Sequence, residues 1–468
     1  MRKFAGVWIK TATMAEAMLP ARLAVLFKGL TYLFRGVKEF LSDYPVGEIA
    51  YRALRGKESV YPFGLLSSYG SAVLGAGAFY KGTPRFKTLD TVVLMPPAFT
   101  PKRLEKAAEL LREPIFMDVR TESEIGGFIS SLPVAVGSMG STHIASKTAI
   151  DIAKAAAKAG IVYAIGENVA TVRGYAKRAT RGHPAFKERL MAYLTNIDKR
   201  GGIIIQQSVE DAYDELWNRV YSDKDVEPYI EEGRIGFEIK IGQGAKPGLG
   251  GVIKIPREQV EKLRAKYKFD ESELGKKFIT RYSVPGTFTA EILAGTIRFM
   301  KTAYPRARIW IKLGPFRDAL DVIRIADEEG ASAVVIDGKE GGTGMAPTAA
   351  MKDLGYPTLV GLKIIRKARA EGRKISLLIA GRLYDGGHVV KSLALGASAV
   401  YMARPFLIAA LARGSKGVEN YIESLRVEIQ MLTSALGKYD VADVGPEDVA
   451  SLDRDVAEML QIPYVYAP

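Results

Sequence analysis

The sequence predicts an α/β protein, a (β/α)₈ TIM barrel with an N-terminal extension and a long insertion after its fourth strand. Three observations point there. Short apolar runs alternate with helical patterns from Leu132 onward, these runs number eight, and each is followed by Gly, Ser or a polar loop. Strands that alternate with helices pair in parallel, and eight such units close into a barrel, with an open doubly wound sheet as the alternative.

The first run is Val134-Ala-Val-Gly137. Ser141 then stands as a candidate N-cap before Ile144, Ala149, Ile152 and Ala156, with Gly160 as the helix stop. The other seven runs are Ile161–Ile165, Gly202–Gln206, Ile235–Ile241, Arg308–Leu313, Ala333–Asp337, Ile375–Ala380 and Ala397–Met402. Gly244–Tyr304 reads as the insertion. Residues 1–131 are expected to pack on the barrel, residues 132–436 to form it, and residues 437–468 to follow as a C-terminal tail.

Composition narrows the chemistry. Among 468 residues there is no cysteine, which excludes disulfides, Cys-ligated zinc, iron–sulfur clusters and a Cys nucleophile within this chain. Only three histidines occur, His143, His183 and His388, far apart in sequence, so no metal site is expected. Four Asn and six Gln beside 25% charged residues suggest a thermophilic source. The net charge of +14 is spread along the chain with no Arg/Lys block carrying interleaved aromatics. Nucleic acid is therefore not the expected partner; small anions or an anionic membrane surface account for the sign.

Residues 1–40 hold seven Lys/Arg and two Glu. Their apolar stretches are cut by Arg22, Lys28 and Arg35, so no signal-peptide core forms. Leu23–Phe40 reads as an amphipathic helix, docked on its own domain or a neighbouring subunit, or lying on anionic lipid. Ser59–Tyr80 is uncharged, yet its Pro62, four Ser and four Gly describe a buried loop rather than a membrane span. A cytoplasmic protein is expected.

Chemistry-bearing residues gather at the strand ends, where barrels build their sites. Gly242-Gln-Gly-Ala-Lys-Pro-Gly-Leu-Gly-Gly251 follows the fourth strand, with glycines that permit close backbone approach and Lys246 as a cation. The alternative is a flexible surface loop. Asp337-Gly-Lys-Glu-Gly-Gly-Thr-Gly344 follows the sixth strand and includes Gly341 and Gly342, whose N–H groups suit an anion nest or a flat ring.

Lys312, inside an apolar strand, needs an anion: negative charge on a reduced flavin pyrimidine, or a structural carboxylate. Gly381-Arg382 and Ala403-Arg404 end the seventh and eighth strands, the usual phosphate position of barrels, although both arginines suit surface ion pairs too. Glu167 closes the second strand as an orienting or proton-transferring group, or as a cap or salt-bridge partner. The amide of Gln206, at the end of the third, suits a flavin edge.

Together these pieces resemble the FMN-binding synthase domain of glutamate synthases, in particular its short glutamate-synthase-like members. The most specific stretches are Phe237-Glu-Ile-Lys-Ile-Gly-Gln-Gly-Ala-Lys-Pro-Gly-Leu-Gly-Gly251 and Ile336-Asp-Gly-Lys-Glu-Gly-Gly-Thr-Gly-Met-Ala-Pro347. Ala380-Gly-Arg and Ala403-Arg404 agree with them. The resemblance covers about residues 130–412. It implies FMN as cofactor and reduction of 2-iminoglutarate to glutamate by hydride transfer from reduced flavin. Lys246 would hold the substrate carboxylate, with Gln243 and the pocket glutamate Glu167 beside it. Lys312 would lie by the flavin, Ser138 and Met139 against its ring, and Gly381, Arg382, Ala403 and Arg404 on its phosphate.

Leu249 and Val252 depart from the family pattern, and neither the iron–sulfur cysteines nor the amidotransferase domain is present in this sequence. The expected activity is therefore an FMN-dependent, glutamate-synthase-like oxidoreductase acting on 2-iminoglutarate or a related small anion. A flavin-dependent transferase or isomerase, or a non-catalytic membrane-associated flavoprotein subunit, are the alternatives. Electrons and ammonia would come from partner subunits or solution, and a homo-oligomer is expected.

Overall fold

The computed structural model describes residues 45–59, 87–179, 181–208, 215–242, 248–249, 252–264, 267–282, 285–341 and 353–466. The expected segment Leu23–Phe40, nearly all of Ser59–Tyr80, and the candidate residues Gln243, Lys246 and Gly342 lie outside the described residues.

Eight parallel strands close a barrel: β1 (Val134–Met139), β2 (Val162–Ile165), β3 (Ile203–Gln207), β4 (Ile235–Lys240), β5 (Arg308–Leu313), β6 (Ala333–Asp337), β7 (Ser376–Ala380) and β8 (Ala399–Met402). Each pairs with its sequence neighbour, and β8 returns to β1 through Val400↔Val134 and Tyr401↔Ala135. The eight expected runs are these strands, with several ends shortened by a residue or two and β1 and β3 running on to Met139 and Gln207. They are legible because both faces of a barrel strand are buried, so the apolar run is nearly continuous.

The helix after β1 spans His143–Ala159 and stops at Gly160 in the left-handed conformation, as expected. Its cap differs from expectation. Thr142, not Ser141, occupies the N-cap position, and no side chain caps the helix. Ser141 instead offers its carbonyl to Arg173 and to the Ser146 hydroxyl.

The insertion after β4 folds into a small antiparallel sheet ordered Val252–Pro256, Phe278–Tyr282, Lys268–Phe269, over its own apolar core of Val260, Tyr267, Phe269 and Ile279. Its last part, Ala290–Ala303, is the ordinary crossover helix leading into β5. The long helix after β8, Arg404–Ala435, is broken at Arg413 and Gly414, and a shorter helix, Arg454–Leu460, follows it.

The flanking segments close the bottom of the barrel. A hairpin, Ser123–Ile125 with Phe128–Ser130, pushes Ile125 and Phe128 into an inner core made of Ala135, Val162, Ala164, Ile204, Ala333, Val335, Leu378 and Ala399. The alanines among them, Ala135, Ala164, Ala333 and Ala399, leave room for two large residues, Trp310 and Tyr401. Trp310 donates from Nε1 to the Gly126 carbonyl at 2.9 Å, and the Gly126 N–H donates to Ser376 Oγ at 3.0 Å. Gly126 has φ +54, and a Cβ there would collide with the indole, so the turn requires glycine. Val92–Leu94 pairs antiparallel with Val449–Ser451, joining the chain's front to its tail.

Candidate functional site

Inward-facing positions change from apolar to polar near the C-terminal ends of the strands. Gln206 on β3, Glu238 on β4, Lys312 on β5 and Tyr401 on β8 form one buried layer. Gln206 donates to Glu238, and the Tyr401 hydroxyl lies 3.3 Å from each Glu238 oxygen. Lys312 Nζ sits 4.9 Å from the centroid of the Tyr401 ring, a cation–π arrangement. It donates to Ser138 Oγ at 3.4 Å and lies 3.8 Å from Asp337 Oδ2. A structural carboxylate, Asp337, is thus near Lys312 at the strand end.

Above this layer Lys240 donates to Glu167. Burial raises the cost of charging Glu167, but the Lys240 ammonium outweighs it and holds the carboxyl below its ordinary range. The β1 and β2 ends are pinned together, with the Gly166 N–H donating to the Met139 carbonyl at 3.1 Å, so Ser138, Met139 and Glu167 share one rim.

On the opposite rim Glu340 accepts from the Thr358 N–H and hydroxyl, both at 2.8 Å. Burial pushes the Glu340 carboxyl up, against the pull of those bonds. Arg404 donates to the Glu340 carbonyl, which ties the end of β8 to the loop after β6. Gly338 and Gly381 admit no side chain, since a Cβ on either would collide with Thr358, and a Cβ on Gly341 would collide with Asp337. Ala403 is the residue before the long helix that follows β8, which starts at Arg404 with Pro405 in its first turn.

Arg382 is placed differently from its neighbours. At φ +43 its guanidinium meets Asp90, with Nη1 2.5 Å from Oδ2. Asp90 also lies 3.0 Å from His388 Nε2, and Asp385 lies 2.7 Å from His388 Nδ1. Burial opposes charge on this ring, yet the two aspartates win and raise His388 to about 9. The other two histidines, distant in sequence, meet edge to face with ring centroids 4.7 Å apart. Burial lowers both, with Lys147 and Arg173 adding to it. Among the described residues no group of three His, Asp or Glu could hold a metal ion, and no helix is long and apolar enough to cross a membrane.

Sequence reasoning missed Glu238, Lys240, Asp337 and Tyr401. A signal for the first two was present. In Phe237-Glu-Ile-Lys-Ile, charge recurs at every second position of a strand that must be buried on both faces, so both charges point into the barrel.

Residues 117–413 match the conserved region in glutamate synthase. The chain belongs to the glutamate synthase family. It is 34% identical over 189 residues to the archaeal glutamate synthase (NADPH) of Methanocaldococcus jannaschii, covering 39% of this chain and 36% of that protein. Against the glutamate synthase large subunit-like protein of Rhizobium meliloti it is 25% identical over 277 residues, covering 48% of this chain and 61% of that protein. The chain thus spans about a third of the length of the archaeal-type glutamate synthases it matches. A solved flavocytochrome b2 variant with sulfite bound has the same fold, with TM-score 0.52 and 20% identity over 81% of this chain and 79% of that one.

The barrel mouth of this glutamate synthase family member fits a flavin by its donor set. A cation, an amide and a hydroxyl, from Lys312, Gln206 and Ser138, converge at one end. Loops kept free of side chains at Gly338 and Gly381, and the first turn of a helix, stand at the other.

Proposed function

We propose that this protein is an FMN-dependent oxidoreductase of glutamate-synthase type that reduces 2-iminoglutarate, or a related small anionic imine, to the amine. The observation that carries the reading is the pairing of Lys312 at the end of β5 with the Glu167–Lys240 ion pair on the same mouth. One charged group serves a cofactor and the other a substrate.

FMN, when bound, supplies the hydride. Gln206 would bond the edge of its ring, and Lys312 would favour negative charge there. Ser138 and Met139 would bound one face, while Gly381, Ala403 and Arg404, with the first turn of the helix after β8, would hold its phosphate. Arg382, engaged by Asp90, would contribute through its backbone. Glu167, ionised beside Lys240, orients an imine N–H and stabilises its positive charge. Lys246 and Gln243 would take the substrate carboxylate. Electrons and ammonia would come from partner subunits or solution, in a cytoplasmic homo-oligomer; peripheral membrane contact through residues 1–40 belongs to the same proposal.

The test has two stages. Purified protein is expected to show a flavin spectrum or to take up added FMN. The reduced flavoprotein, mixed anaerobically with 2-oxoglutarate and ammonia, is then expected to reoxidise. Flavin that binds but stays reduced overturns the substrate, and protein that never takes up FMN overturns the whole reading.

A further inference from the structure

Glu238 lies at the centre of β4 with no solvent exposure. Gln206 faces it from β3 and Tyr401 from β8, Lys312 comes from β5, and Lys240 stands two residues on along its own strand. Asp337 on β6 lies near Lys312, Ser138 on β1 adjoins both Lys312 and Tyr401, and Glu167 accepts from Lys240. The inner residues of β2 and β7, Val162, Ala164, Leu378 and Ala380, are apolar. Burial pushes the Glu238 carboxyl up to about 7, against the pull of Lys312, Gln206, Tyr401 and Lys240.

Glu238 is therefore a carboxyl at the edge of ionisation, and it lies in the field of Lys312, whose ammonium stands at the mouth beside Ser138. A path to solvent exists: its hydroxyl partner Tyr401 is also hydrogen-bonded to Ser138, which is partly exposed on the rim.

We propose that Glu238 is a positioning residue that exchanges one proton with solvent, through Tyr401 and Ser138, in step with the charge held against Lys312. Negative charge arriving beside Lys312 competes with the Glu238 carboxylate for that cation, and Glu238 takes up a proton. The inference rests on the flavin reading above. Two-electron reduction of FMN by an external donor consumes one proton and leaves an anionic ring, FMN + 2e⁻ + H⁺ → FMNH⁻. Protonation of Glu238 adds a second proton from solvent, so the site takes up two protons for two electrons.

The test is the pH dependence of the midpoint potential of the FMN-loaded protein, with dithionite as reductant, above about pH 7. Wild type is expected to take up two protons per two electrons there, and Glu238→Gln one; below about pH 7 the two slopes converge. An infrared reduced-minus-oxidised difference spectrum of wild type reads the same event without a variant. It is expected to gain a protonated-carboxyl band on reduction. A flavoprotein with one proton per two electrons and no such band overturns this inference alone. Protein that takes up no FMN overturns the flavin reading and this inference with it.

Discussion

Lys240, at the end of β4, and Glu167, just beyond β2, are ion-paired across the barrel mouth although 73 residues separate them. The pair holds the Glu167 carboxyl below its ordinary range against the opposing effect of burial. Lys240→Met is expected to raise the Glu167 pKa and to lower turnover about 10²-fold or more at neutral pH, with partial recovery at higher pH. A pH–rate profile checks this; a variant whose acidic limb stays where wild type has it overturns the assignment.

The His388 cluster predicts a pH dependence of stability. His388 is raised from 6.5 to about 9, so it binds a proton in the folded state that it lacks in the unfolded one. Its contribution, on the order of 3 kcal/mol, is complete below about pH 6.5 and is lost as pH rises through about 9. Asp90 and Asp385 are held low and keep their share until strongly acidic pH. Urea melts across that range should show wild type weakening with pH and His388→Gln nearly flat. Parallel curves would falsify the linkage.

The barrel floor predicts a local cost. Trp310→Phe keeps most of the apolar volume but leaves the Gly126 carbonyl without its donor, so it should lose about 1–3 kcal/mol. Trp310→Ala also opens a cavity and should lose about 3–5 kcal/mol or fail to fold. Denaturant midpoints measure both, and a Phe variant as stable as wild type removes the hydrogen bond from the account.

The two strand-end arginines should behave differently. Arg404 bridges the end of β8 to the loop after β6, so Arg404→Ala should weaken FMN binding about 10- to 100-fold. Arg382 is engaged by Asp90, so Arg382→Ala should act mainly on thermal stability. Fluorescence titration with FMN, read beside melting curves, separates them; the reverse order contradicts the placement.

The strands were legible because apolar runs need only their own residues to declare burial. Lys312 was legible for a related reason, since a lysine in such a run must meet a charge. The charge state of Glu238 was not, because its isolation from water follows from seven other strands. The use of Arg382 was hidden as well, because its partner Asp90 comes 292 residues earlier.

Sequence alone determined the eight strands, the polar strand ends and, through the Gly-rich stretches, the resemblance to glutamate synthases. The tertiary structure decided which charges meet: Glu167 with Lys240, Lys312 with Tyr401 and Asp337, Arg382 with Asp90. The physical reason is range. Strand identity follows from local apolar runs, whereas a carboxyl's charge depends on groups that closure of the barrel brings within a few ångströms.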